Sequence, residues 1–191
     1  KNDGATYISN NDFITFAEGI AGLKFRSDPD FHGTGYITIR ASLTADPIGL
    51  GGSIIEPITI NPIADLPIIT PATTDEDILS SSGLVISRNS VDGDEVTHFQ
   101  ITDITNGSLY KNDGATSISN DEFITFAEGN AGLKFLSDPD FHGTGYITIQ
   151  ASTDNTISGL GDNQVEATIT VNPIADLPSI TSATTDEDIL S

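Results

Sequence analysis

The chain of 191 residues has no cysteine and no tryptophan, and only seven lysines and arginines. Without cysteine it has no disulfide, no zinc thiolate site and no thiol nucleophile. A few tyrosines and no tryptophan leave little on which a sugar ring could stack, so carbohydrate binding is not expected. The seven basic residues face 28 acidic ones, for a net charge of −21. Such a surface repels nucleic acid and anionic membranes, so neither is an expected partner. No apolar run is long enough to span a membrane, and there is no signal-peptide pattern. The first residues, KNDGAT, read as the middle of a repeat, so the chain is expected to be a window of a longer protein.

The abundant acids fall in short clusters (TDED, DGDE, DPD) rather than in one solvated run. That spacing suits cation sites better than bulk solubility. A secreted protein without disulfides needs another staple, and calcium can serve as one. Calcium takes roughly six to eight oxygen ligands, and an Asp-x-Asp pair on a turn aims two carboxylates at one point. Simpler readings stand beside this one. DPDF before a strand can be a turn with an Asx cap, DGD an ordinary hairpin turn, and TDED a solvated edge that discourages strand aggregation. Neither an EF-hand loop nor a glycine-rich nonapeptide calcium repeat is present.

The chain is dominated by an internal repeat. Residues 1–42 match 111–152 at 36 of 42 positions, an offset of 110. NPIADLP at 61–67 recurs at 172–178, and ATTDEDILS at 72–80 recurs at 183–191, an offset of 111. A period of about 110 residues is too long for a solenoid unit and suits one immunoglobulin-sized sandwich domain. The expected division is the latter part of a preceding unit over 1–64, a complete unit over 65–175, and the opening segment of a following unit over 176–191. Within the unit, apolar residues alternate. Ile147, Ile149 and Ala151 share one face of a strand, and Leu133, Phe135 and Ser137 share another. Turn signals at Asn106-Gly107, 111–115 and 159–163 separate the runs, and no stretch has convincing helical periodicity. The expected fold is all-β: tandem Ig-like, antiparallel Greek-key β-sandwiches.

SDPDFHGTGYITI occurs identically at 27–39 and 137–149. A histidine beside two aspartates raises the question of zinc or hydrolysis. Neither His32 nor His142 has a second histidine at ligand spacing, and His98 falls on a different expected strand. An active site also draws on several distant loops. No catalytic residue and no enzymatic activity are expected; His142 is expected to be a partly exposed turn residue that packs on a neighbour.

The order TTDEDIL, VDGDEVTHFQI, NGSLYKNDG, DPDFHGTGYITIQAS and ATITVNPIADLP resembles the cadherin-like repeats found in tandem in long bacterial surface proteins and adhesins. The resemblance covers the whole period. It implies calcium at the junctions between units, and a ligand set that follows the family's pattern. For the first junction this is Asp28, Asp30, Asn61, Asp65, Asp92 and Asp94. For the second it is Glu76, Asp138, Asp140, Asn172 and Asp176. Ala64 and Ala175 stand where an acidic or amide ligand is usual, which implies fewer or weaker ions. The first junction is expected to be the better formed, because the unit beyond the second is truncated.

The function implied is that of a non-catalytic, calcium-stiffened spacer or stalk in a large bacterial adhesin at the cell surface. Its partners would be neighbouring repeats, other cells or identical chains. Rival expectations are a module that recognises a cell or a glycan through the variable GLG hairpins, and a fibre subunit assembled by strand exchange. In the latter, TTDEDILS would complete a neighbour's partial unit. A further rival is an accessory domain of a polysaccharide-degrading enzyme.

Overall fold

Alternating residues with period two, broken by Asn-Gly and Asp-Gly turns, become strands wherever a partner strand is within reach. The computed structural model describes residues 1–188; the last three residues of the segment expected over 176–191 lie outside the described residues. In chain order come a one-turn helix α1 (Phe16–Ile20), then β1 (Gly33–Ser42), β2 (Leu50–Ile60), β3 (Ile68–Ile69) and β4 (Ala72–Asp75). Next are β5 (Ile86–Ser87), β6 (His98–Thr105), β7 (Gly107–Tyr110), β8 (Ser117–Ile118) and β9 (Glu122–Thr125). A second one-turn helix α2 (Phe126–Asn130) precedes β10 (Lys134–Ser137), β11 (Gly143–Ser152) and β12 (Leu160–Asn172). The fold is all-β.

A five-stranded sheet has the order β4-β12-β11-β6-β9, and a three-stranded one the order β10-β7-β8. All pairings are antiparallel except β4 with β12, which is parallel. Both sheets feed one apolar cluster, with Phe99, Ile101, Ile147, Ile149 and Ile169 from the larger and Leu109, Ile118 and Phe135 from the smaller. The faces expected from alternation are the buried ones: Leu133, Phe135 and Ser137, and Ile147, Ile149 and Ala151. The chain passes from one sheet to the other at Asn106, whose φ is +60°. The next residue must be glycine, because a Cβ on Gly107 would lie 2.3 Å from the Leu136 carbonyl oxygen and 2.4 Å from the Phe135 ring.

Among the described residues, every buried apolar side chain lies between Ala64 and Val171. Residues 1–60 form α1, the two-stranded hairpin β1–β2 and a one-turn 3₁₀ helix at Pro47–Gly49 between its strands. The near-identical sequence thus occurs in two environments. Local features are the same in both copies. Thr15 with Glu18 and Thr125 with Glu128 build the same capping box on α1 and α2. Lys1 pairs with Glu18 at 2.5 Å, and Lys111 with Glu128 at 2.6 Å. Asp3 and Asp113 accept the same three hydrogen bonds, from Ala5 and Thr6 and from Ala115 and Thr116. Features that need a distant partner differ. β9 and β10 form because β6 and β7 pair with them. Residues 12–15 and 24–27, their counterparts in the first copy, form no strand. Phe135 is accordingly 0% exposed and Phe25 52%.

Candidate metal centre

The linker Asn61–Pro67 leaves β2 and enters the complete unit at Ala64, which is buried against the β11–β12 hairpin. A Cβ on Gly161 would lie 1.9 Å from the Ala64 carbonyl oxygen, so the linker can pass only over glycine there. Ala64 is buried, so the position where the resemblance has a usual ligand is filled by packing. The next residue, Asp65, is thereby held over the turn at 91–95. Its backbone N–H donates to both carboxylate oxygens of Asp92, at 3.2 and 3.3 Å.

A cavity of about 240 Å³ opens at this crossing. Its oxygen-bearing walls come from both sides of the linker: Asp30 and Asn61 from the first copy, Asp65 from the linker, and Asp92 and Glu95 from the complete unit. His32 also lines it, with Nδ1 3.6 Å from Glu95 Oε1. The Glu95 side chain is only 8% exposed, and its Oε2 is buried with no hydrogen-bond partner among the described residues. A buried carboxylate oxygen without a partner is costly, of the order of 1–3 kcal/mol or more for a charged group.

The electrostatics mark the same place. Burial pushes the Asp92 carboxyl above its ordinary range, and the charges of Asp65 and Glu95 add to this. Burial also works against ionised Glu95. There the backbone amides of Gly93 and Glu95, together with the neighbouring His32 and Arg88, outweigh it and hold the carboxyl below the usual glutamate range. Two acids in one small cavity are thus driven in opposite directions, Asp92 upwards by burial and its acidic neighbours despite the Asp65 and Asn89 amides, and Glu95 downwards. The donor set is all oxygen apart from the histidine, and it fits a hard divalent cation such as calcium.

Of the six residues expected at this junction, Asp30, Asn61, Asp65 and Asp92 line the cavity. Asp28 is exposed and is not among its walls, and Asp94 faces solvent in an ion pair with Arg88 at 2.8 Å. Glu95 was missed. The available signal was a third acid adjoining the Asp92-Gly93-Asp94 turn, directly before the buried Val96.

At the second junction the arrangement is more open. Asp77, Asp140 and Asp176, all exposed, bring carboxylate oxygens within 4.8 Å of one another. Asp77 and Asp140 both have φ near +60°, and the Asp140 N–H donates to Asp77 Oδ1 at 3.3 Å. Asp140 and Asp176 were expected here, and Asp77 was not. In TDED the glutamate serves the backbone instead: Glu76 is buried, and its Oε1 accepts the N–H of Ile174 in the outgoing linker. Its Oε2 lies 3.6 Å from Nδ1 of His142, the half-exposed turn residue. Asn172 donates to Asp75 Oδ1 at 3.0 Å, and Asp138 is exposed outside the cluster.

Comparison with known proteins adds no name to this geometry: no protein-family model matches the chain, and no curated protein matches it.

Proposed function

We propose that the chain is part of a string of Ig-like, cadherin-like sandwich units, and that it works as an extracellular spacer or stalk of a bacterial surface adhesin. Calcium held at the junctions would stiffen the string. The role is mechanical rather than catalytic. The observation that carries the reading is the cavity at 61–65. Its walls come from both copies and include Glu95, a buried acid with one carboxylate oxygen that has no hydrogen-bond partner among the described residues. A cation there would bond to both sides of the linker at once, and so would resist bending between units. It would also relieve the repulsion among Asp65, Asp92 and Glu95. The second, open cluster of Asp77, Asp140 and Asp176 repeats the theme one period later.

Calcium sites of extracellular modules typically have dissociation constants of about 10⁻⁴–10⁻³ M. The test is a calcium titration followed by isothermal calorimetry and by thermal unfolding, for the native chain and for Glu95→Gln. Ten-fold excess over the dissociation constant should stabilise the folded form by about 1.4 kcal/mol. Glu95→Gln should lose most of that increment. Heat signals and midpoints that ignore calcium in both proteins would end the cation reading.

A further inference from the structure

Four glycines of the chain follow an aspartate or asparagine: Asp3-Gly4, Asp92-Gly93, Asn106-Gly107 and Asp113-Gly114. Glycine has no Cβ to shield its nitrogen, so that nitrogen can attack the side-chain carbonyl carbon of the residue before it. Ring closure needs the two atoms in near-attack contact, and a fold that holds either one elsewhere blocks it.

Three of the four pairs are held. The Asp113 carboxylate accepts from the Ala115 and Thr116 amides, both at 2.9 Å, and from Thr116 Oγ1 at 2.6 Å. The Gly114 N–H is committed to the Lys111 carbonyl at 2.9 Å. Asp3 and Gly4 repeat this arrangement. Asn106 carries an amide, the better electrophile, because a carboxylate resists attack while ionised. Its Nδ2 nevertheless donates to the Thr144 carbonyl at 2.9 Å, and Gly107 is paired opposite Ser137. The Phe135 ring and the Leu136 carbonyl crowd Gly107 and leave it no room to turn.

Asp92-Gly93 is the loosest of the four. It lies in the loop between β5 and β6, outside any strand, with Gly93 exposed. The Asp92 carboxylate accepts long bonds from the Asp65 N–H, at 3.2 and 3.3 Å, with the Asn89 amide also near it. The Gly93 N–H makes no backbone–backbone hydrogen bond among the described residues. Glu95 lies against this glycine instead: a Cβ on Gly93 would be 2.8 Å from Oε2. An acceptor for the amide proton thus stands beside the residue whose nitrogen would attack.

We propose that Asp92-Gly93 is a site of spontaneous succinimide formation and aspartate isomerisation, a reaction that the fold suppresses at the three related pairs. The Gly93 nitrogen bonds to Asp92 Cγ, and one carboxyl oxygen leaves as water with the carboxyl proton and the amide proton. Water then opens the ring. Entry at Cγ restores aspartate, whereas entry at the Asp92 backbone carbonyl leaves isoaspartate, with the chain running through Cγ. The second product lengthens the backbone by one carbon and moves a carboxylate in the cavity wall. Its effect on cation affinity rests on the reading above; the chemistry does not.

The test is run in chelator throughout. The native chain and Asp92→Asn are aged at neutral pH, folded and in urea, and mapped by peptide mass spectrometry with isoaspartyl methyltransferase labelling. In the native folded chain, isoaspartate should collect at 92 several-fold faster than at 3 or 113. In Asp92→Asn, positions 92 and 106 carry the same dipeptide, so intrinsic reactivity cancels. Deamidation at 92 should be at least about ten-fold faster than at 106 in the folded chain, a factor equivalent to ~1.4 kcal/mol of local opening at Asn106. In urea the two rates should converge. Comparable folded rates at 92 and 106, or isoaspartate at 113 matching that at 92, overturn the proposal. A difference that persists undiminished in urea does so too, because flanking sequence and not the fold would then set it.

Discussion

Phe135 and Phe25 occupy the same place in the two copies, and truncating each to alanine separates the effect of sequence from that of environment. Phe135 is fully buried between the sheets, packed so closely on Gly107 that no Cβ would fit. Truncation therefore leaves a cavity that the backbone cannot fill, and a buried Phe→Ala change costs about 3–5 kcal/mol. Unfolding entropy of about 2.1 cal/mol/K per residue, over a unit of about 110 residues, makes each kcal/mol worth roughly 4 °C. Phe135→Ala should thus lower the melting midpoint by roughly 13–22 °C. Phe25 is 52% exposed in a segment whose described residues contribute no buried apolar side chain before Ala64. Phe25→Ala should move the main transition by less than a quarter of that amount. Circular dichroism melts in chelator, at micromolar chain, measure both. Equal shifts would refute the reasoning, because they would mean that residues 1–64 pack as tightly as their twins.

Glycine at 161 offers a second paired comparison. Gly161→Ala forces the Ala64 carbonyl away and should cost about 1–3 kcal/mol, whereas Gly51→Ala, with only the Ala41 carbonyl oxygen at 3.6 Å, should be close to neutral by urea denaturation. Gly161→Ala should also blunt the calcium response, since it displaces the linker that carries Asp65. Asp92→Asn should raise the midpoint in chelator, where it removes repulsion, and shrink the rise on adding calcium; a calcium-induced rise as large as the native chain's would exclude Asp92 as a ligand. Glu128 has its carboxyl lowered to about 2, chiefly by Lys111 and then by Thr125. Its folded-state pKa lies below the unfolded one, so its stabilisation is present above the ordinary glutamate range near pH 4.5 and is lost as pH falls towards 2. Melts from pH 6 to pH 2 should therefore fall less steeply for Glu128→Gln than for the native chain. Parallel curves would show that the Lys111 contact contributes no net stability.

How much could be read from the sequence depends on the range of the interaction concerned. The capping boxes, the aspartate-capped loops at Asp3 and Asp113 and the facing of Phe135 and Ile147 follow from residues within a few positions, and alternation or spacing reveals them. Strand formation itself does not. Lys-Phe-Arg-Ser at 24–27 and Lys-Phe-Leu-Ser at 134–137 have nearly the same propensity, yet only the second is a strand, because β7 lies beside it. The site divides in the same way. Asp30, Asn61, Asp65 and Asp92 could be expected from clustered acids in a repeated order. Asp28 and Asp94 could not be told from them, because which member of an Asp-x-Asp pair faces inwards is set by the turn's dihedrals. Glu76 and Asp77 show the point most clearly. They are neighbours in one acidic run, yet Glu76 holds the outgoing linker and Asp77, turned by its left-handed backbone, joins the exposed carboxylates.

The same dependence on range explains why the candidate site forms at the junction rather than within either copy alone. The Gly161 contact with Ala64 fixes where the linker meets the β11–β12 hairpin, and the Asp65 N–H to Asp92 bond fixes the next residue. With those two restraints, oxygens more than sixty residues apart in sequence, from Asp30 to Glu95, line one cavity. Neither restraint closes the site, since Glu95 Oε2 stays unpaired and Asp92 keeps its repulsion. Arg88 is committed to Asp94 at 2.8 Å, to the Val96 carbonyl and to the face of Phe126. The chain thus spends its scarce basic residues on its own framework and leaves the junction negative, which is the arrangement a cation-dependent joint requires.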